Sequence, residues 1–254
     1  MMPVDLQQLV TYTDELLQAS RFSDYCPNGL QVQGRPGVQR IVSGVTACQL
    51  LLDAAAELEA DLVLVHHGFF WRGEAQPVVG MKRRRLGTLL RHDMSLLAYH
   101  LPLDAHPELG NNARLGALLG ILDPEHLDAA SPESVGSVGR LPQPLRAADL
   151  VARLESLTGR APLHIGDPGR PVQRIAWCIG AAQSYIGAAV AAGADLFLTG
   201  EASEQTVHIA REEGLQFVAA GHHATERYGV QALGEHLAAR YGLEHRYVDI
   251  DNPV

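Results

Sequence analysis

The sequence predicts an α/β protein built as two related lobes. Three observations point there: an internal repeat, apolar strand-like runs separated by single helices, and histidines and carboxylates gathered where those runs end. Residues 38–68 read VQRIVSGVTACQLLLDAAAELEADLVLVHHG, and residues 172–202 read VQRIAWCIGAAQSYIGAAVAAGADLFLTGEA, aligned without a gap at an offset of 134. Twelve of the 31 positions are identical, including VQRI and the block Ala60-Asp61-Leu62, which returns as Ala194-Asp195-Leu196. Common alanine and leucine do not produce those two blocks by coincidence, so the repeat reads as a duplication.

The elements follow in order. Val4–Ala19 has Leu6, Leu9, Val10, Leu16 and Leu17 on one helical face. In each copy a β-branched run (Arg40–Val45; Arg174–Ile179) is a buried strand, an Ala-rich stretch (Gln49–Glu59; Gln183–Ala192) a helix, and a second run (Leu62–Val65; Leu196–Thr199) another buried strand. Further strands are expected at Leu96–Tyr99 and Phe217–Ala220, and helices at Ala113–Leu119 and Thr225–Tyr241. Residues 124–171 break the composition: SPESVGSVGRLPQPL is turn-rich, Ala147–Leu157 is helical and GDPGRP is a loop. The expected lobes are therefore 1–127 and 128–254, with the helix 225–241 in the second lobe closing a cleft between the two.

Composition limits the function. Of 254 residues 46% are apolar and 19% charged, a globular balance, and the net charge is −9. A net anion is a poor non-specific binder of phosphate backbones or acidic membranes, so nucleic acid and membrane are not expected partners. No apolar window is long enough for a membrane span. The stretch MMPVDLQQLVTYTDELL lacks a basic n-region and carries Asp5, Asp14 and Glu15, so a cytoplasmic location is expected. Cys26, Cys48 and Cys178 are too widely spaced for a metal clip and give no disulfide framework.

Ligands in such sheets collect beyond the carboxyl ends of the strands. Those ends carry His66-His67, then His100 with Asp104, then Glu201, then His222-His223 with Glu226. Adjacent residues on a strand face opposite ways, so two imidazoles aimed at one ion require the strand to have ended; Gly68 permits that bend, and one imidazole for each of two ions also fits. His222 and Glu226 are four apart at a helix start and share a face. Pro102 takes the chain out of the strand, letting Asp104 turn back over the sheet. Imidazole and carboxylate without thiolate suit Zn, Mn or Fe(II). His66, His67, Asp104, His222 and Glu226 are more donors than one catalytic zinc needs, which reads as a dinuclear centre with two divalent ions per chain about 3.5–4 Å apart.

Other residues carry weaker signals. His100 orients Asp104, reaches substrate or simply ends its strand, and Glu201 supports a ligand or touches substrate. His208 reads as a surface histidine, and Asn111-Asn112 as a helix cap. Lys82-Arg83-Arg84-Arg85 with Arg91 is either a solvated helix face or, through Arg83, Arg84 or Arg85, a grip on a substrate phosphate. No P-loop, dinucleotide fingerprint or nucleophile elbow is present.

The motifs NGLQV (28–32), HHGFFW (66–71), HLPLDAHPELGNN (100–112), TGE (199–201) and the run GHHATER ending at Arg227 resemble the NIF-three-like family, whose bacterial members are called GTP cyclohydrolase 1 type 2 homologues. They fall in order along essentially the whole chain. The resemblance implies two α/β lobes, a dinuclear metal site in the cleft between them and a toroidal homohexamer. Its metal ligands fall on His66, His67, Asp104, His222 and Glu226. His223 stands where many members have an aromatic residue and is not counted as a ligand, and no domain is inserted between the lobes. The expected activity is that of a metal-dependent hydrolase acting on a nucleotide or related phosphorylated heterocycle, with His100 and Glu226 as its catalytic residues. The other reading is a non-enzymatic metal-binding protein for delivery, storage or partner regulation.

Overall fold

The computed structural model describes residues 2–128 and 135–254. Two compact units emerge, residues 1–109 with 229–251 and residues 110–228 with 252–254. This differs from the expected division at 127/128, and pairing explains why. Leu122–His126 adds to the second sheet beside Ser137–Arg146. Glu244–Tyr247 pairs in parallel with Arg40–Thr46, drawing residues 229–251 into the first unit.

The first unit is a five-stranded sheet in the order Glu244–Tyr247, Arg40–Thr46, Leu62–His67, Ser95–Ala98, Gly29–Val32, with only the last strand antiparallel. Both faces are covered, as continuous apolar strands require. Leu62 and Leu64 pack with Leu9 of the helix Leu6–Leu16 and Leu233 of the helix Arg227–Tyr241. Val63 and Val65, one residue out of step, pack with Leu51 and Leu89 of the helices Gln49–Glu57 and Gly80–Arg91. The N-terminal helix starts later than expected because Asp5 caps it, accepting from the Gln8 amide at 3.0 Å.

The second unit is a six-stranded sheet in the order Leu122–His126, Ser137–Arg146, Pro171–Trp177, Leu196–Thr199, Gln216–Ala219, Leu163–Ile165. The turn-rich reading of SPESVGSVGRLPQPL fails for its second half, since Ser137–Arg146 is a strand; Ser131–Ser134 lie outside the described residues. Pro142 and Pro144 are tolerated because they fall where the register against Pro171–Trp177 slips, so neither owes a ladder hydrogen bond. Among the described residues no helix is long and apolar enough to cross a membrane.

The repeated sequence makes repeated structure. Ile41, Val42 and Ser43 stand opposite Leu62, Val63 and Leu64, and 134 residues later Ile175, Ala176 and Trp177 stand opposite Leu196, Phe197 and Leu198. The recurring aspartate has the same task in both copies. Asp61 accepts from the Gln39 and Arg40 amides at 2.8 and 3.0 Å, and Asp195 from the Gln173 and Arg174 amides at 2.9 and 2.8 Å. These amides lie just before the parallel ladders that start at Ile41 and Ile175, and the carboxylate gives them an acceptor. Asp61→Ala takes an acceptor from both amides and the ion-pair partner from Arg35, so a loss of roughly 2–3 kcal/mol is expected, read as a lower urea midpoint at unchanged slope.

Candidate metal centre

In the first unit the site starts at the end of the strand Leu62–His67, which includes both histidines. The strand does not stop before them as expected; His67 is still paired with Thr46. Their rings nonetheless converge, with centroids 4.6 Å apart. His66 is completely buried, and its Nδ1 donates to the Tyr99 carbonyl at 2.9 Å, which turns Nε2 to the Asp104 side. His67 Nδ1 is held by Thr46 Oγ1 at 3.2 Å. Gly68 is required by packing: a Cβ there would strike the Gln31 amide, which instead accepts from the Phe69 amide at 2.6 Å. That contact accounts for the glutamine of NGLQV.

After the strand Ser95–Ala98 the chain breaks at His100 (φ −97°, ψ −105°) into a short helix, Leu101–Ala105, with Pro102 in its first turn. The helix carries Asp104 back over the sheet, buried, with Oδ1 3.4 Å from His66 Nε2. His100 does not orient Asp104. Its Nδ1 lies 2.7 Å from Asp24 Oδ1, and its ring centroid is 5.1 Å from that of His66 and 5.6 Å from that of His67. The donor atoms of these three histidines all lie within 4.8 Å of one another.

Asp24 and Asn28 were not anticipated. Asn28 Nδ2 donates to Asp24 Oδ2 at 2.9 Å, and its Oδ1 accepts from the His100 amide at 2.8 Å. Burial works to raise the Asp24 pKa, but hydrogen bonds from His100, Asn28 and the Leu101 amide outweigh it and hold the carboxyl down at about 2. Burial and the Asp24 charge push the Cys26 thiol up to about 12, and Cys26 stands with Asp24 and His100 in a group whose donor atoms lie within 4.8 Å of one another. The only advance sign of this cluster was the asparagine of NGLQV, because Asp24 lies 76 residues from its partner.

In the second unit three strand ends finish in glycine: Gly180, Gly200 and Gly221. A Cβ on Gly180 would meet the Glu226 carboxylate, and one on Gly200 would sit 2.7 Å from His222 Cα. The predicted helix 225–241 is in fact two, His222–Thr225 and Arg227–Tyr241, with Glu226 at the break (φ −104°, ψ 9°). The pair still meets: His222 Nε2 is 3.1 Å from Glu226 Oε2. Glu201 closes on the other ring nitrogen, 2.6 Å from Nδ1. Burial depresses the His222 pKa, but Glu226 and Glu201 more than reverse this and bring it up to about 9.

Both donor sets suit a borderline divalent ion, with imidazole nitrogens held through Nδ1, carboxylate oxygens beside them and no thiolate. Glu201 on the outer nitrogen of His222 has the arrangement of a carboxylate that orients a ligating imidazole. Glu201→Gln should weaken metal binding about 10–100-fold without unfolding the protein, measured by competition with a chromogenic chelator.

The remaining residues are peripheral. Arg83 and Arg84 are exposed on the helix Gly80–Arg91, and among the described residues no contact joins them to the histidines. Lys82 is tied to the Ala75 carbonyl at 3.1 Å. His208 is exposed beside Glu204. The helix Asn111–Leu118 is capped by Gly110, not by its asparagines; Asn112 instead accepts from the Ile179 amide at 3.2 Å and, through its carbonyl, from Trp177 Nε1 at 3.0 Å.

Comparison with known proteins agrees with this architecture. A protein from Pseudomonas aeruginosa named GTP cyclohydrolase 1 type 2 homolog is 58% identical over 253 residues, covering 100% of both chains. One of the same name from Escherichia coli K12 is 52% identical over 251 residues, 98% of each. The solved structure of ybgI, described as of unknown function, superposes with a TM-score of 0.94 at 50% identity, over 99% of this chain and 100% of that one. A Thermus thermophilus protein does so at 0.89 and 38% identity, over 99% and 100%. The family model Duf34/NIF3 (NGG1p interacting factor 3) matches residues 4–253. The chain belongs to the Duf34/NIF3 family.

Proposed function

We propose that the protein is a divalent-metal-dependent hydrolase with a dinuclear centre, acting on a nucleotide or related phosphorylated heterocycle. Its ligands are His66, His67, Asp104, His222 and Glu226. One observation carries the reading: each unit by itself assembles imidazole and carboxylate donors at its strand ends, His66 beside His67 and Asp104, and His222 beside Glu226. The name borne by the relatives, GTP cyclohydrolase 1 type 2 homolog, supports the substrate class. Bound Zn, Mn or Fe(II) would lower the pKa of a coordinated water to about 7 and polarise the scissile centre. His100 and Glu226 move the proton. Glu201 keeps His222 aimed, and Arg83 and Arg84 are the candidates to grip a substrate phosphate. Gene duplication as the origin of the halves, a toroidal homohexamer and a cytoplasmic location belong to the same proposal; light scattering tests the assembly.

The deciding experiment incubates purified protein, loaded in turn with Zn, Mn and Fe(II), with a panel of purine and pyrimidine nucleotides. Turnover that disappears in Glu226→Gln supports the reading. A protein that turns over none of them, and whose Glu226→Gln variant binds the same metals normally, is not this hydrolase. If its ions also pass freely to a chelator, delivery or storage describes it better.

A further inference from the structure

We propose that Asp24 is a positioning residue, assisted by Asn28: it fixes His100 in one orientation and one tautomer, with Nε2 turned to the His66–His67 donors as an acid–base group outside the ligand set. This rests on the metal-hydrolase reading above and adds a residue to it.

The geometry leaves little choice of proton position. Asp24 has a nearly inaccessible side chain, 2% exposed, and its oxygens are fully engaged. Oδ1 takes His100 Nδ1 at 2.7 Å and the Tyr25 amide at 2.6 Å; Oδ2 takes Asn28 Nδ2 at 2.9 Å and the Leu101 amide at 3.0 Å. A carboxylate surrounded by donors accepts from all of them, so the hydrogen of the shortest side-chain contact sits on His100 Nδ1. The remaining nitrogen, Nε2, belongs to a ring whose backbone is also pinned by Asn28 Oδ1. Trp71 packs on that ring at 5.2 Å between centroids, edge to face, and limits its rotation. An imidazole oriented by a buried carboxylate, beside a place where a nucleophile is activated, is the arrangement of an oriented general base.

The chemistry balances without Asp24 changing state. As water attacks, one of its O–H bonds breaks, the electron pair goes into the new bond to the substrate, and the proton passes to His100 Nε2. The Asp24 carboxylate stabilises the imidazolium without taking its proton, since donors already occupy it. Nε2 then returns the proton to the leaving group.

The test uses the full-length protein with ¹⁵N-labelled histidines, metal-free and loaded with ¹¹³Cd, and assigns His100 by its loss in His100→Gln. His100 is expected to show a protonated Nδ1 and unprotonated Nε2 in both forms, with cadmium coupling at His66 and His67 and none at His100. Asp24→Asn should lose the single-tautomer pattern while cadmium per chain stays within twofold of wild type, and Asp24→Glu should restore the pattern. Cadmium coupling at His100 would make it a ligand and overturn the proposal. An unchanged pattern in Asp24→Asn would overturn it too, as would loss of cadmium from that variant while its circular dichroism is unchanged. Absence of cadmium coupling at every histidine, with the His100 pattern intact, would instead remove the metal reading beneath it.

Discussion

Replacing His66 or Asp104 with alanine should cut the metal bound per chain to half or less, by elemental analysis, while the far-UV circular dichroism stays that of the wild type. The cost to folding is bounded. His66→Ala opens a void in a fully buried position and leaves the Tyr99 carbonyl without its donor. Such losses total about 2–4 kcal/mol, within the 5–15 kcal/mol that holds a domain together. The cost to binding is larger, because each variant removes one of the three first-unit donors and the other two cannot close a coordination sphere. Unfolding of both variants would show that these side chains are core elements. Full metal retention in both would move the centre elsewhere.

Much of this was legible before any coordinates, and the reasons are specific. The register of each β–α–β copy follows from strict apolar patterning, and a one-residue slip would turn Leu62 and Leu64 away from their core. The repeated aspartate marked itself because both copies need a carboxylate over the amides that precede the parallel ladder. The candidate donors stood out because imidazole and carboxylate are costly at the end of a buried strand unless they are employed. The unit boundaries were not legible, since nothing local in EHRY announces that it pairs with residues two hundred positions earlier. Nor was Asp24, whose importance is a contact across 76 residues, while the nearer carboxylate, Asp104, drew His100 as its supposed partner. Helix periodicity placed His222 and Glu226 together correctly but missed the break at Glu226, which periodicity cannot register.

Gly200→Ala is expected to destabilise the second unit and to disturb the His222 site. Its Cβ would lie 2.6 Å from the Gly180 carbonyl oxygen, 2.7 Å from His222 Cα and 3.0 Å from the His222 amide nitrogen. All three are backbone atoms, of Gly180 and of the helix start at His222, so no side chain can swing away. The same ends are tied together, Gly200 N to Gly180 O at 3.0 Å and Gly221 N to Gly200 O at 2.9 Å, so relief in one direction breaks a hydrogen bond in the other. Overpacking of this kind costs about 1–3 kcal/mol, and one lost backbone bond about 1 more, giving a midpoint in urea clearly below wild type. The displacement falls on His222 and its contact with Glu226, so metal binding at those two donors should weaken together with stability. Gly187→Ala separates this from a generic glycine effect: it lies in the helix Ile186–Ala191 with nothing within 4 Å of the added Cβ. There alanine should add up to about 1 kcal/mol and leave metal content untouched. If the two substitutions prove equivalent, the strand ends are not packed tightly enough to position His222, and the support assigned to Gly180, Gly200 and Gly221 is wrong.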